Sequence, residues 1–435
     1  MRKPTLSVTT HSLSTHLGLT AGSSKLAKSL DPAVKPREVV DTDRGEQLPL
    51  ALILLTWFLG NLSIYFITPG LPELATVFPS SPRTIQLVIS FFLLGKAISM
   101  LLWCNLSERM GRKPVFIFGL FLYSLSNFLA AASFNIHVLL ISRLLQGFAV
   151  GATLLMGRCM INDKQNEQAA TRQFAWLFTL AGVIICFLPW VGAIINAQFG
   201  WRASFFIAGT YSLFLLAFGS FRETKSSKNT PLPLSKSFSL VFKNPIFVGY
   251  LTISALMMAG ESAFNTSAPF ILIKNANFTL VAYGKIKTLL ALMHLLGTAG
   301  CGLFIRYFIS ASLVGIGVFL FALAAGLMLF FSLVTHDIYL SLVFPMMIYY
   351  FGTGFIVASA AAAAVRPFPK QMATAMGLSL FFQFNFSAVF SLISSLIAIQ
   401  TVTPFVAIIA LIGFLSLVSW KVLIARRTGI AAITT

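Results

Sequence analysis

The stretch Trp103–Pro114 reads WCNLSERMGRKP. It sets four charges, Glu108, Arg109, Arg112 and Lys113, within twelve residues of a chain in which only 10% of residues are charged. TIQLVISFFLLGKAISMLL precedes it and VFIFGLFLYSLSNFLAAA follows it. Each run is about 20 residues, the length that spans roughly 30 Å of hydrocarbon as a helix. The charged stretch therefore reads as a short loop between two membrane helices.

Working outward, apolar runs of this length recur at 50–71, 85–107, 114–133, 137–161, 172–196, 202–221, 244–271, 283–305, 311–333, 338–362, 372–397 and 402–424. The 435-residue chain is 57% hydrophobic, with a mean hydropathy of +0.86. A water-soluble fold could not cover that much hydrocarbon. The expectation is an all-α membrane protein of twelve transmembrane helices in two pseudo-symmetric six-helix bundles, lying in a lipid bilayer.

The ends differ from this core. Residues 1–48 are Ser/Thr-rich, carry seven Lys/Arg and five Asp/Glu, and hold no apolar run; they read as a disordered tail, or a plain solvated extension. The stretch RETKSSKNTPLPLSKSFSLVFKN at 222–244 holds five Lys/Arg and two prolines. It divides the chain into an N-terminal bundle (49–221), a linker (222–243), a C-terminal bundle (244–427) and a short tail (428–435). Internal similarity supports the division. CNLSER at 104–109 and CGLFIR at 301–306 share C-x-L-x-x-R at an offset of 197, and Gly60 and Pro69 are spaced as Gly260 and Pro269 at an offset of 200. Two similar halves around a midplane site are the design of many secondary transporters.

The net charge of +19 reports orientation rather than a nucleic-acid partner. With the N-terminus inside, 24 of 31 Lys/Arg fall on the inner loops and tails; Arg83, Arg202, Lys274, Lys285 and Lys287 fall outside, and Lys96 and Arg143 within helices. This asymmetry puts both termini in the cytoplasm. Cys104, Cys159, Cys186 and Cys301 lack paired spacing, which argues against disulfides and zinc. His294 reads as a packed, hydrogen-bonded residue or a proton relay. The chain has no nucleophile elbow, phosphate loop or carboxylate pair, so no enzymatic chemistry and no cofactor or metal is expected.

CNLSERMGRKP resembles the loop between helices two and three of the major facilitator superfamily, usually G-x-L-S-D-R-x-G-R-R-P. Leu106, Ser107, Arg109, Gly111, Arg112 and Pro114 match, while Glu108 stands for Asp, Lys113 for Arg and Cys104 for Gly. The resemblance implies that Glu108, Arg109, Gly111, Arg112 and Lys113 form a conformational latch between the halves; the plainer reading is a topology anchor. RLLQGFAVGATLLMGRCMIND at 143–163 is similar to the helix-four motif, which gives Arg143 a role in coupling or binding, with Gln146 and Gly147 following. FLPWVGAIINAQFGWRASFFI at 187–207 resembles the helix-five antiporter region, with Pro189 and Gly192 in place and Leu188 and Ala193 departing. TPGLPELATVF and SAPFILIKNANFTLVAYG look like the Bcr/CflA branch of drug:proton antiporters. From that branch follow a bacterial inner-membrane setting, a monomer, protons and a small-molecule substrate.

Seven acids lie beyond the tail, and only Glu261 falls near the middle of a helix. A carboxylate at that depth must face a cavity, find a cation or bind a proton. The resemblance places an acid in helix one four positions before the proline; here that slot is Tyr65. Glu261 is therefore expected to take over proton coupling from the symmetric helix, opposite Asn61, or else to be half of a structural pair. Lys96, midway along helix two, either neutralises Glu261, snorkels to a surface or binds substrate. Gln383 and Asn385 of helix eleven are candidate cavity hydrogen bonders. Lys96 and Arg143 against Glu261 leave one net positive core charge, which favours a neutral, zwitterionic or anionic compound over a lipophilic cation. Proton-coupled export of small amphipathic compounds leads. Movement of an anionic metabolite or siderophore, or a receptor that does not transport, are the alternatives.

Overall fold

The computed structural model describes residues 50–164, 167–218, 242–335, 337–368, 372–397 and 402–426. The expected N-terminal tail, most of the linker and the C-terminal tail lie outside the described residues. Among the described residues there is no strand, and the main helices are α1 Leu50–Tyr65, α2 Pro82–Met110, α3 Arg112–Ala131, α4 Ile136–Lys164, α5 Glu167–Phe199, α6 Trp201–Phe218, α7 Pro245–Pro269, α8 Leu280–Phe304, α9 Ser310–Val334, α10 Phe344–Val365, α11 Met372–Leu396 and α12 Thr403–Ser419. Ten of them are long and apolar enough to cross a membrane; α1 and α6 are not among the ten.

Helix ends follow local chemistry. Ser81 caps α2 by accepting from Thr84 N (3.3 Å), with Pro82 at the first position. Asn244 caps α7 by accepting from Ile246 N and Phe247 N (3.0 and 3.2 Å), and Thr279 caps α8. Each satisfies a backbone donor that the first turn leaves unpaired. Between α2 and α3 the chain turns on Gly111 alone, at φ 89° and ψ 162°, a conformation closed to residues with a side chain. That turn lets α3 begin at Arg112, two residues before the expected start at 114, so Pro114 sits inside the first turn, where its missing N–H costs no helical bond.

Helix one departs from the continuous span expected at 50–71. It stops at Tyr65 and continues as a 3-10 turn, Thr68–Gly70, and a short helix, Leu71–Val77. Pro69 supplies no N–H to an α-helical bond here, which accounts for the break. Its counterpart Pro269 likewise ends α7, and a π-helical segment, Phe270–Asn275, follows.

The two halves repeat each other. In the first, α1 packs on α4, α5 and α6, α2 and α3 pack on α4, and α3 packs on α6. In the second, α7 packs on α10, α11 and α12, α8 and α9 pack on α10, and α9 packs on α12. Each of these six pairings recurs six helices later. The halves meet through α2 on α11 and α5 on α8, two contacts that the same pseudo-symmetry exchanges. Close crossings repeat too: a side chain on Gly147 of α4 would strike the Phe92 carbonyl of α2, and one on Gly354 of α10 would strike the His294 carbonyl of α8. Such small residues let membrane helices approach. The outer faces of α3, α9 and α12 expose Phe121, Phe319 and Phe414, as a lipid-facing surface requires.

Candidate functional site

Glu261 lies mid-helix on α7 and is half-buried. Its Oε1 accepts from the hydroxyl of Tyr65 (3.2 Å), which the end of α1 presents from the opposite half. The acid thus meets the tyrosine that occupies the expected acidic slot of helix one. It does not meet Asn61, whose Nδ2 turns back to Trp57 O on its own helix (3.2 Å).

A second correction concerns Lys287, which the loop count placed outside. The structure buries it to 2% exposure. α8 begins at Leu280, so Lys287, which the span 283–305 already contained, falls two turns inside the helix and on its buried face. Lys285 and Lys287 are two positions apart, so they point to different faces, and Lys285 takes the exposed one. Lys287 Nζ donates to Asn265 Oδ1 (2.7 Å) and Tyr350 Oη (2.9 Å). Three rings surround it, with Nζ 4.9 Å from the centroid of Phe264, 5.0 Å from Tyr350 and 5.6 Å from Tyr65. All lie within cation–π range. Tyr65 therefore touches both members of the site: its hydroxyl serves Glu261 and its ring faces Lys287.

The helix-five motif supports this arrangement. Gly192 lies so close to the end of α1 that a Cβ would sit 2.8 Å from Tyr65 O. On the neighbouring side, a Cβ on Gly284 of α8 would sit 3.0 Å from Pro189 O. The missing side chains of Gly192 and Gly284 let α5 pack closely against both α1 and α8. Asn196, one turn further along α5, donates to Gly192 O (2.7 Å) and Ser204 Oγ (2.9 Å) and caps Phe66 O.

Lys96 of α2 reaches across to the second half, with Nζ 4.0 Å above the Phe384 ring of α11. The two amides flanking that ring bond within α11: Gln383 Nε2 to Ser379 Oγ (3.1 Å) and Asn385 Nδ2 to Phe381 O (2.8 Å). Nearer the end of α11, Ser391 Oγ shares hydrogen bonds with Ser90 of α2 and Thr266 of α7, both 2.8 Å. Phe270 and Ala388 of the second half bury themselves in the core of the first. These contacts lie at mid-depth and toward the face opposite the Gly111 turn.

Arg143 and Gln146 are not at this seam. Arg143 is fully buried inside the first half, where Nε donates to Val88 O (3.0 Å) and Nη1 to Gln146 Oε1 (2.6 Å). Gln146 Nε2 continues to Asn127 Oδ1 (3.2 Å) and Asn127 Nδ2 to Tyr123 O (2.8 Å). Tyr123 Oη then reaches Leu59 O (2.8 Å) and Ser63 Oγ (2.7 Å) on α1. The guanidinium also stacks 4.6 Å over Phe92. This chain of neutral acceptors ties α2, α3 and α4 to α1. Of the latch residues, Gly111 has the geometry described above, Arg112 and Lys113 are half-buried, and the Glu108 and Arg109 side chains lie outside the described set. His294 Nδ1 is hydrogen-bonded to Thr353 Oγ1 (2.6 Å).

Sequence reasoning missed Lys287, Asn265, Tyr350 and Phe264. The spacing Glu261–Asn265 carried the usable signal, because positions i and i+4 share a helix face. Counting Lys287 inward raises the described core to three cations, Lys96, Arg143 and Lys287, against Glu261.

The profile of the Major Facilitator Superfamily matches residues 53–392. The chain belongs to that superfamily. It is a multi-pass membrane transporter by family and fold. It is 24% identical over 371 residues to multidrug resistance protein MdtL of Shewanella oneidensis, covering 84% of this chain and 92% of that one. To MdtL of Salmonella heidelberg it is 27% identical over 252 residues, 55% of this chain and 61% of that one. Among solved structures, a D-xylose–proton symporter superposes with a TM-score of 0.71 at 16% identity, covering 86% of this chain and 97% of the other. A point mutant of the nucleoside transporter NupG gives 0.66 at 17%, covering 87% and 99%. At these identities the structural likeness speaks for the fold alone.

Proposed function

We propose that this protein exports small amphipathic compounds in exchange for protons, by rocking two six-helix bundles about a midplane site. The observation that carries the reading is the hydrogen bond between Tyr65 and Glu261, made across the two halves. An ionised carboxylate at this depth is held in place by charge-assisted donors. Once protonated, it has no charge with which to hold the tyrosine. Proton loss thus favours the state in which the halves meet here, and proton gain favours their parting. A compound entering the seam displaces Tyr65 and takes its place against the carboxylate. Compound and proton then compete for one group, which is the condition for exchange. The MdtL relatives, named for multidrug resistance, support drug-like compounds as cargo.

With both termini cytoplasmic, the contacts of α2 on α11 and α5 on α8 near Ser391 and Gly284 close the outer face. The latch residues beside Gly111 then lie on the inner face, where they would engage when the transporter turns outward. The setting in this reading is a bacterial inner membrane and the working unit a monomer. Enzymatic activity forms no part of it. The test is reconstitution into proteoliposomes with an internal pH dye, applying gradients of cationic, neutral and anionic amphipaths in turn. Proton movement driven by a compound gradient supports the reading; compound movement without protons, or none at all, overturns it.

A further inference from the structure

The Lys287 ammonium occupies an aromatic box. Tyr65, Phe264 and Tyr350 place their rings 4.9 to 5.6 Å from Nζ, the arrangement by which proteins bind quaternary and protonated amines. Here the cation filling it belongs to the protein. The side chain is 2% exposed, and both hydrogen bonds go to neutral oxygens, Asn265 Oδ1 at 2.7 Å and Tyr350 Oη at 2.9 Å. An ammonium carries three N–H donors, so one is left over beside the Tyr65–Glu261 contact. A ligand cation brought to the same box would displace Lys287 or sit against its charge in a low-dielectric interior.

We propose that Lys287 sets the charge class of the transported compound. It fills the aromatic box from within, so that amphipathic cations are refused. It offers its remaining N–H to an acceptor oxygen, so that aromatic compounds with a carboxylate or carboxamide head are taken, the head meeting Lys287 while the rest of the compound displaces Tyr65 from Glu261. This deepens the reading of the seam as the substrate site and rests on it. Lys96, 4.0 Å over Phe384, and Arg143, buried within one half, add to the positive field without filling this box.

The test uses the full-length protein in lipid nanodiscs and three probes of one shape: naphthoate, naphthamide and naphthylmethyl-trimethylammonium, with binding read by calorimetry. The wild type is expected to bind the two acceptor probes about tenfold or more tightly than the ammonium, the scale of one hydrogen bond to a charged donor. In Lys287→Met the acceptors weaken about tenfold and the ammonium gains about tenfold as the box opens. Lys287→Gln, polar and too short to fill the box, gives the same reversal if the methionine variant does not fold, and Lys287→Arg keeps the wild-type order. Naphthoate and naphthamide together show whether charge or only the acceptor oxygen matters. Equal binding of all three probes, no binding of any by folded wild type, or an unchanged order in the Met and Gln variants overturns the proposal. Its failure is separable from failure of the transport reading: a protein that exports compounds against protons yet ignores ligand charge refutes only this inference. One that shows the charge order but moves no protons refutes only the exchange.

Discussion

Replacing Tyr65 by phenylalanine removes one hydroxyl and leaves the ring that faces Lys287. The lost contact is the 3.2 Å donation to Glu261 across the halves. Hydrogen bonds to a charged acceptor contribute about 1.5–3 kcal/mol. At 3.2 Å this one is long for an O–H donor, so the lower figure applies, and about 1.5 kcal/mol is roughly a tenfold change in the equilibrium between joined and parted halves. Ser391, buried in the closed seam against Ser90 and Thr266, reports that equilibrium. In a background with the four cysteines replaced, a cysteine at position 391 is labelled by a charged thiol reagent only when the seam opens. The labelling rate therefore scales with the open fraction. Tyr65→Phe should raise it about tenfold. Tyr211→Phe, whose hydroxyl serves Leu55 O within one half (2.9 Å), should leave it unchanged. A Tyr65→Phe rate within twofold of the parent would refute the claim that this bond holds the halves together.

Other consequences follow from the packing. Gly147→Leu puts a side chain into the Phe92 carbonyl and should destabilise by several kcal/mol, about the scale of overpacking or more. Gly302→Ala, with open space around it, should leave the thermal midpoint where it was. Gly111→Ala forces a side chain into φ 89°, at a cost of about 1–3 kcal/mol, seen as a lower midpoint in thermal unfolding followed by size-exclusion chromatography. Arg143→Met breaks the donations to Val88 O and Gln146, at about 1–3 kcal/mol for buried partners left unpaired. Because Arg143 lies inside one half, its loss should lower stability far more than it changes the KM for an exported compound. A KM shift without a stability loss would place Arg143 functionally at the seam instead.

The helices were legible because each span must be about 20 apolar residues long, a requirement of the bilayer rather than of the sequence. Their ends were less so. The break after Tyr65 and the early start of α8 at Leu280 depend on how neighbouring helices pack, and hydropathy averages over that. Counting Lys287 with the outer loop, although the span 283–305 contained it, hid its burial against Asn265 and Tyr350. Glu261 stood out as the one deep acid, but its partner could not be read from spacing along the chain. Tyr65 is 196 positions away and meets Glu261 across the two halves. Arg143 illustrates the opposite case. Its motif announced importance, whereas its surroundings, Val88, Gln146, Asn127 and Tyr123, show a polar brace within one bundle.

The account turns on Glu261 being the group for which compound and proton compete. Proton release on compound binding can be counted directly, in weakly buffered detergent solution with a pH indicator, for wild type and Glu261→Gln. An amphipathic compound shown to be transported is titrated to saturation, and compound counterflow is followed in parallel. The account predicts that the wild type releases protons as compound binds, and that Glu261→Gln binds and exchanges the compound with no release. Undiminished release from Glu261→Gln would show that the proton sits elsewhere and contradict the central claim.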